Sequence, residues 1–306
     1  MDIAQAMILT IIAASTPILL ASIGELVVER SGVLNLGVEG MMIIGAVCAF
    51  ASSYITGSAY IGVLAGMFAG VLLSAAFALL TQKFLANQVA SGLALTLLGL
   101  GISGQIGSDF TGLPGVKLEA IYIPTLSDIP LLGAIIFGQD ILVYLSFILI
   151  AGVGYVLFKT RLGLIIRAVG DNPVSAHALG YNVVFVRICC ILFGGACAGL
   201  SGAYLSLVYT PQWVEDMSAG RGWIALALVV FATWLPKRLL IGAYLFGLVW
   251  VLGLYVQVWG SGIAPQFLAA LPYLVTILAL VIISRDRVLS KTHTPASIGQ
   301  IFVPDR

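Results

Sequence analysis

Long stretches of this chain contain no Asp, Glu, Lys or Arg: residues 3–24, 40–82, 84–108, 141–158, 188–214, 222–236 and 239–284. A helix needs about 20 apolar residues to cross the hydrocarbon core of a bilayer, so each run is a candidate span. The two longest, 40–82 and 239–284, have room for two. Turn residues divide both: Ser52, Ser53, Gly57 and Ser58 in the first, and Gly260, Ser261, Gly262 and Pro265 in the second. The pattern predicts nine spans in a polytopic all-α membrane protein. The run 222–236 is the shortest, so its helix either crosses in part or begins before Arg221. Composition agrees, with 60% hydrophobic and 9% charged residues, where a soluble domain carries about 25% charged.

Basic residues orient the spans, because cytoplasmic connections are enriched in Lys and Arg. With the N-terminus outside, an odd count puts the C-terminus inside. Arg30, Lys83, Lys159, Arg161, Arg167, Arg187, Lys237, Arg238, Arg285, Arg287, Lys291 and Arg306 then lie inside, and only Lys117 and Arg221 outside. The first span lacks a basic n-region and a small-residue cleavage site, which reads as a retained helix rather than a signal peptide. The four cysteines, Cys48, Cys189, Cys190 and Cys197, all fall within spans and show no CxxC spacing. They read as small apolar packing residues, not as a metal or disulfide frame. A net charge of +1 offers no footprint for nucleic acid.

The connections divide the chain unevenly. Four spans occupy 3–108 and precede an outer loop, 109–140. A linking span, 141–158, follows, and then an inner loop, 159–187. Four more spans occupy 188–284, and a polar tail, 285–306, reads as mobile. One linking span between two sets of four gives the sets opposite orientations, the arrangement of inverted-repeat transporters. Gly62, Gly66 and Gly70, with Gly195, Gly199, Ala198 and Gly202, recur at spacings that let helix backbones approach closely in lipid.

Two polar segments stand out. In ERSGVLNLGVEG, 29–40, charges and three glycines interrupt the apolar pattern. Three glycines in twelve residues disfavour a continuous helix, and irregular backbone at membrane depth is tolerated only where protein or a cavity surrounds it. The segment therefore reads as a break between helices, near a translocation path. Glu29 and Arg30 suit a structural ion pair, and Glu39 suits the N-terminal dipole of the second span. In 159–187, Asn172 caps and Pro173 starts a short helix, PVSAHAL, that Gly180 ends. The basic residues around it suit docking to a cytoplasmic partner.

These blocks carry a resemblance. ERSGVLNLGVEGMMIIGA, GDNPVSAHALGYNV and GGACAGLSGAYL, in that order, resemble the permease subunits of bacterial ABC importers for branched-chain amino acids, simple sugars and nucleosides. PQWVEDMSAGRGWIALALVVFATWLP is most similar to the nucleoside-type members. The resemblance spans about 20–285. It implies the larger importer fold with inverted repeats, a single permease domain over 1–306 and a place in the bacterial inner membrane. Other branch members often carry an extra N-terminal span, and its absence would fit an outside N-terminus. Implied partners are a cytoplasmic ATPase subunit that uses ATP and Mg, a second related permease (a heterodimer before a homodimer) and a substrate-binding lipoprotein. The implied coupling helix places Gly170, Asn172, Pro173, Ala176, His177 and Gly180 at the ATPase contact. Nucleosides, purine nucleosides first, are the implied cargo, with simple sugars or riboflavin-like compounds as the alternative.

Candidate path residues are Asn35 and Glu39 at the break, and Asn87, Gln88, Thr96 and Gln105 along the fourth span. Rival functions find less support in the residues. GISG at 101–104 and GLSG at 199–202 match the GxSG of intramembrane serine proteases, which need a histidine base on a neighbouring span. His177 and His293 both fall in inner segments. An ion-coupled secondary transporter usually places acids near mid-membrane, and the predicted spans contain none. With no GxxxxGK[ST] motif, the chain is expected to bind no nucleotide cofactor of its own and not to be an enzyme.

Overall fold

The computed structural model describes residues 3–122, 133–258 and 294–303, with isolated positions at 124, 127, 129, 267, 268, 270, 271, 274, 275 and 278. The long helices are α1 (Ile3–Arg30), α2 (Val38–Thr56), α3 (Ala59–Ala78, continued by a π turn over Leu79–Lys83), α4 (Gln88–Gly107) and α5 (Ile141–Lys159). After them come α6 (Arg161–Asp171), α7 (Pro173–Ala178), α8 (Val183–Tyr204, continued by a π turn over Leu205–Tyr209), α9 (Arg221–Phe231) and α10 (Pro236–Val258). No strand occurs among the described residues.

Seven helices among them are long and apolar enough to cross a membrane: α1 to α5, α8 and α10. Two of the nine expected spans are not among them. The helix of the 222–236 run, α9, has 11 residues, about 17 Å at 1.5 Å per residue, against a hydrocarbon core of about 30 Å. It crosses only part of the way. The last expected span lies in the second half of 239–284, which is outside the described residues except at scattered positions.

Helix α8 sits at the centre, packed on α1, α2 and α3. It runs antiparallel to α1: Gly24 abuts Gly194 and Cys197, while the Ser201 hydroxyl donates to the Pro17 carbonyl at 2.6 Å. The glycine spacing explains the closeness. A methyl group on Gly70 would strike Gly195 and Gly199, and one on Gly66 would strike the Gly45 carbonyl and Ala203. Gly199 in turn faces Gly66 and Met67, with Gly45 of α2 against its other side. In lipid no hydrophobic force joins helices, so close backbone packing of this kind carries the association. At the start of α5, the Asp140 carboxylate accepts the Leu142 and Val143 amides at 2.9 and 3.1 Å. Burial pushes that carboxyl above the ordinary aspartate range despite these donors.

The same substitution at two glycines separates packing from composition. Gly199→Leu should lower the amount of folded protein in membranes several-fold and its melting temperature by several degrees, because overpacking costs about 1–3 kcal/mol or more. Gly152→Leu on α5, with nothing within 4 Å of an added methyl, should match the parent in both measurements.

Candidate path and coupling surface

Between α1 and α2 the chain runs irregularly through 31–37, and every residue of it is buried except Leu34 and Leu36, which are half-buried. Gly32 turns the chain with φ +85°, a conformation that favours glycine. A break placed inside protein must find partners for its backbone groups, and other elements supply them. The Leu34 amide donates to Gln88 Oε1 at 2.8 Å and the Asn35 amide to Glu25 Oε1 at 3.3 Å. Thr96 Oγ1 donates to the Leu36 carbonyl at 2.9 Å, and the Gly37 amide to Asn35 Oδ1 at 2.9 Å. Gly92 and Gly40 leave room for α4 to lie against Leu36 and α2.

Glu39 joins this break to a second one. Its carboxylate accepts the Gly220 amide at 2.9 Å and the Gly222 amide at 2.6 Å, although it lies in the first turn of α2. It therefore caps α9 as well as favouring the dipole of its own helix. The chain leading to α9, 210–220, folds back along the bundle. Trp213 is buried against Gly107 near the end of α4, whereas Gly222 lies on the Glu39 backbone. Asp216, Ala219 and Gly220 take positive φ along the way. Arg221 is half-buried between the rings of Tyr209 and Trp250, at 5.1 and 5.6 Å.

The far end of α9 is pinned too. Thr233 and Trp234 both take positive φ before α10 begins. Glu29 Oε2 accepts the Trp234 indole N–H at 2.6 Å, and Arg30 Nη2 donates to the Trp234 carbonyl at 2.9 Å. The ion pair expected of Glu29 and Arg30 thus takes another form. Consecutive helical residues point about 100° apart, so the two side chains reach the same tryptophan from different sides. One turn back, Glu25 is buried with Oε2 unpartnered among the described residues.

Of the six path residues expected from sequence, the fold gathers four. Asn35, Glu39, Gln88 and Thr96 all lie at the 31–37 break and all are buried. Asn87 is exposed and caps α4 through the Ala90 amide at 3.0 Å. Gln105 stands on an exposed face of α4, near its other end.

The loop 159–187 contains two helices where one was expected. Preceding α7 is α6, whose Leu162 and Leu164 are exposed. The framing of α7 follows the sequence signals: Asn172 Oδ1 accepts the Ser175 amide at 3.0 Å, and Gly180 turns the chain with φ +88°. Ala176 faces inward at 2% exposure, against Val169, Val183 and Phe302. Val174 and Leu179 face outward at 68% and 77%. His177 lies edge-on to Phe302 at 5.6 Å. Gly170 abuts the Arg30 carbonyl and Gly32.

The tail, expected to be mobile, is docked over 294–303. The Ser297 hydroxyl donates to the Gly170 carbonyl at 2.6 Å, and the Gly299 amide to the Gly32 carbonyl at 3.1 Å. Of these ten residues only Thr294, Ser297 and Gln300 have polar side chains, and the apolar run Ile301, Phe302 and Val303 was the signal that a reading of the tail as polar passed over. The sequence did not mark Arg187, which donates to the Ser31 carbonyl, or Trp234, which donates to Glu29, each pairing more than a hundred residues apart.

Similarity to known proteins agrees with this architecture. The family described as branched-chain amino acid transport system / permease component matches residues 7–283. A putative glucose ABC transporter permease of Haloferax volcanii is 39% identical, covering 92% of each chain. A guanosine ABC transporter permease of Bacillus subtilis is 35% identical over 92% of this chain and 93% of its own. A nucleoside ABC transporter permease of Lactococcus lactis is 31% identical over 99% and 98%. No solved structure matches significantly. The chain, a multi-pass membrane protein and a transport component rather than an enzyme, belongs to the branched-chain amino acid transport system permease family.

Proposed function

We propose that the chain is the membrane-spanning permease of an ATP-driven importer for nucleosides, with purine nucleosides preferred. The observation that carries this reading is near-full-length similarity to permeases named for guanosine and for nucleosides. A sugar cargo is the second reading, favoured by the similarity to the glucose-named permease. The basic residues of the inner loops support an outside N-terminus and a cytoplasmic C-terminus. In this reading a cytoplasmic ATPase, holding the ATP and Mg, meets α7 through Val174 and Leu179. A substrate-binding lipoprotein delivers cargo on the other side, and a related second permease completes the pore as a heterodimer. Two inverted repeats would let one half rock against the other.

The path-shaping role falls to the paired breaks. A short helix with pinned ends, such as α9, moves as a unit, because only the irregular segments beside it need to change φ and ψ. Glu39 links the two, so α2 and α9 shift together. Asn35, Gln88 and Thr96 hold the backbone of the first break in one arrangement.

Cargo is settled by uptake into proteoliposomes that hold the complete complex, with ATP enclosed and the binding protein outside. Labelled guanosine should accumulate, and excess adenosine should suppress most of it while excess glucose does not. Guanosine exclusion together with glucose accumulation would favour the sugar reading.

The docking surface is tested at Leu179. Leu179→Glu places a charge where the partner would bury it, a cost of several kcal/mol, and should abolish co-purification of the ATPase while leaving membrane insertion intact. Leu179→Cys, in a chain without the four native cysteines, should resist an impermeant thiol reagent in whole cells. Retained ATPase binding by Leu179→Glu, or ready labelling of the cysteine, would contradict the assignment.

A further inference from the structure

The 31–37 break and α7 belong to different parts of the chain, yet one segment touches both. Residues 294–303 cross the inner end of the bundle. At one end Phe302 packs with Val169, Ala176 and Val183, so it forms the floor on which α7 rests. In the middle, Ser297 bonds to Gly170 through both its amide and its hydroxyl, at 3.0 and 2.6 Å. Nearby, the Gly299 amide donates to the Gly32 carbonyl at 3.1 Å, inside the break.

Arg187 clamps these contacts. It is fully buried at the start of α8, and its guanidinium donates in three directions. Nε reaches the Ser31 carbonyl at 3.2 Å, Nη1 the Gln300 carbonyl at 3.1 Å and Nη2 the Ser297 hydroxyl at 3.3 Å. Gln88 makes a parallel link, with Oε1 accepting the Leu34 amide and Nε2 donating to the Gln300 carbonyl at 3.4 Å. The break is therefore tied to the tail by two side chains and one backbone bond, and the tail is tied to α7 by an aromatic ring.

We propose that residues 294–303 are a transmission strap, with Arg187 and Ser297 as its positioning residues, that carries displacement of α7 to the 31–37 break. The physical reason is stiffness. A fork of fixed planar geometry loses little freedom per bond formed, and a buried ring cannot slip past close-packed neighbours. Two other routes join α7 to the break: the exposed connection 179–182 into α8, which absorbs motion, and Gly170, which abuts the Arg30 carbonyl and Gly32 and is itself held by the strap through Ser297. The strap instead moves with α7 and pulls on Gly32, the one left-handed residue of the break. This inference rests on the reading of α7 as the ATPase contact.

The test uses the assembled complex with its ATPase and binding protein. Two variants are compared with the parent: Ser297→Ala, and a chain ending at His293. A second readout is the labelling rate of Leu34→Cys, half-buried in the break, in a chain without the four native cysteines. Ser297→Ala should keep the ATPase bound, yet in both variants uptake per ATP hydrolysed should fall about fivefold or more, within the usual range for lost coupling between sites. In the parent, ATP should change the Leu34→Cys labelling rate, and in both variants that response should disappear. A purely structural role of the tail would lower protein level without removing the ATP response. An ATP response that survives in the shortened chain, or is absent from the parent, overturns the proposal. Should the shortened chain fail to insert, Ser297→Ala decides alone. Leu179→Glu run alongside separates the two readings: if it releases the ATPase while the strap variants stay coupled, only the strap falls.

Discussion

Backbone amides and carbonyls inside a bilayer have no water to turn to, and each one left unpaired costs several kcal/mol. Everything unusual in this fold answers that constraint. A continuous helix satisfies it internally, but the chain breaks helix at 31–37, at 210–220 and at 232–235. At each break, groups distant in sequence complete the pairing. Gln88, Glu25 and Thr96 serve the first, Glu39 serves the end of the second, and Glu29 with Arg30 serves the third. Glu25, Glu29, Arg30 and Glu39 thus serve to hold irregular backbone inside this apolar chain.

This explains what was legible beforehand. Span positions depend only on local hydropathy, so α1 to α5, α8 and α10 were readable. So were the Asn172–Pro173 start of α7 and its end at Gly180, because capping is local chemistry. The break at 31–37 was visible through the three glycines and the stranded charges of 29–40. The partners were not. Glu39 acts on Gly220 and Gly222, and Arg187 on Ser31 and Ser297; no periodicity records contacts across such separations. A Gly-x-Gly at 220–222 opening a short apolar run was the available hint that α9 starts inside the bundle. Ala176 illustrates the opposite error, since a small residue at the centre of PVSAHAL reads as contact surface when it is the packed side.

The arrangement also suits a transporter's need for two states. Continuous helices packed through Gly45, Gly66, Gly70, Gly195 and Gly199 make a rigid centre, since close backbone contact leaves little slack. Around it, α9 is short and held at both ends by side-chain bonds rather than by helix continuity. A hydrogen bond to a charged group contributes about 1.5–3 kcal/mol, strong enough to define one arrangement and weak enough to be exchanged for another. The local strain of Thr233 and Trp234, about 1–3 kcal/mol each for such residues, sits at the end of α9.

The most direct measurement of this account is hydrogen–deuterium exchange over the peptide 214–224, in the parent and in Glu39→Ala. If the Glu39 carboxylate holds the Gly220 and Gly222 amides, that peptide should exchange slowly in the parent and at least about tenfold faster in the variant, the factor that corresponds to about 1.4 kcal/mol. Peptides from the packed centre of α8 should be unchanged. Equal exchange of 214–224 in the two proteins would show that another group secures the start of α9, and that the two breaks are not joined through Glu39.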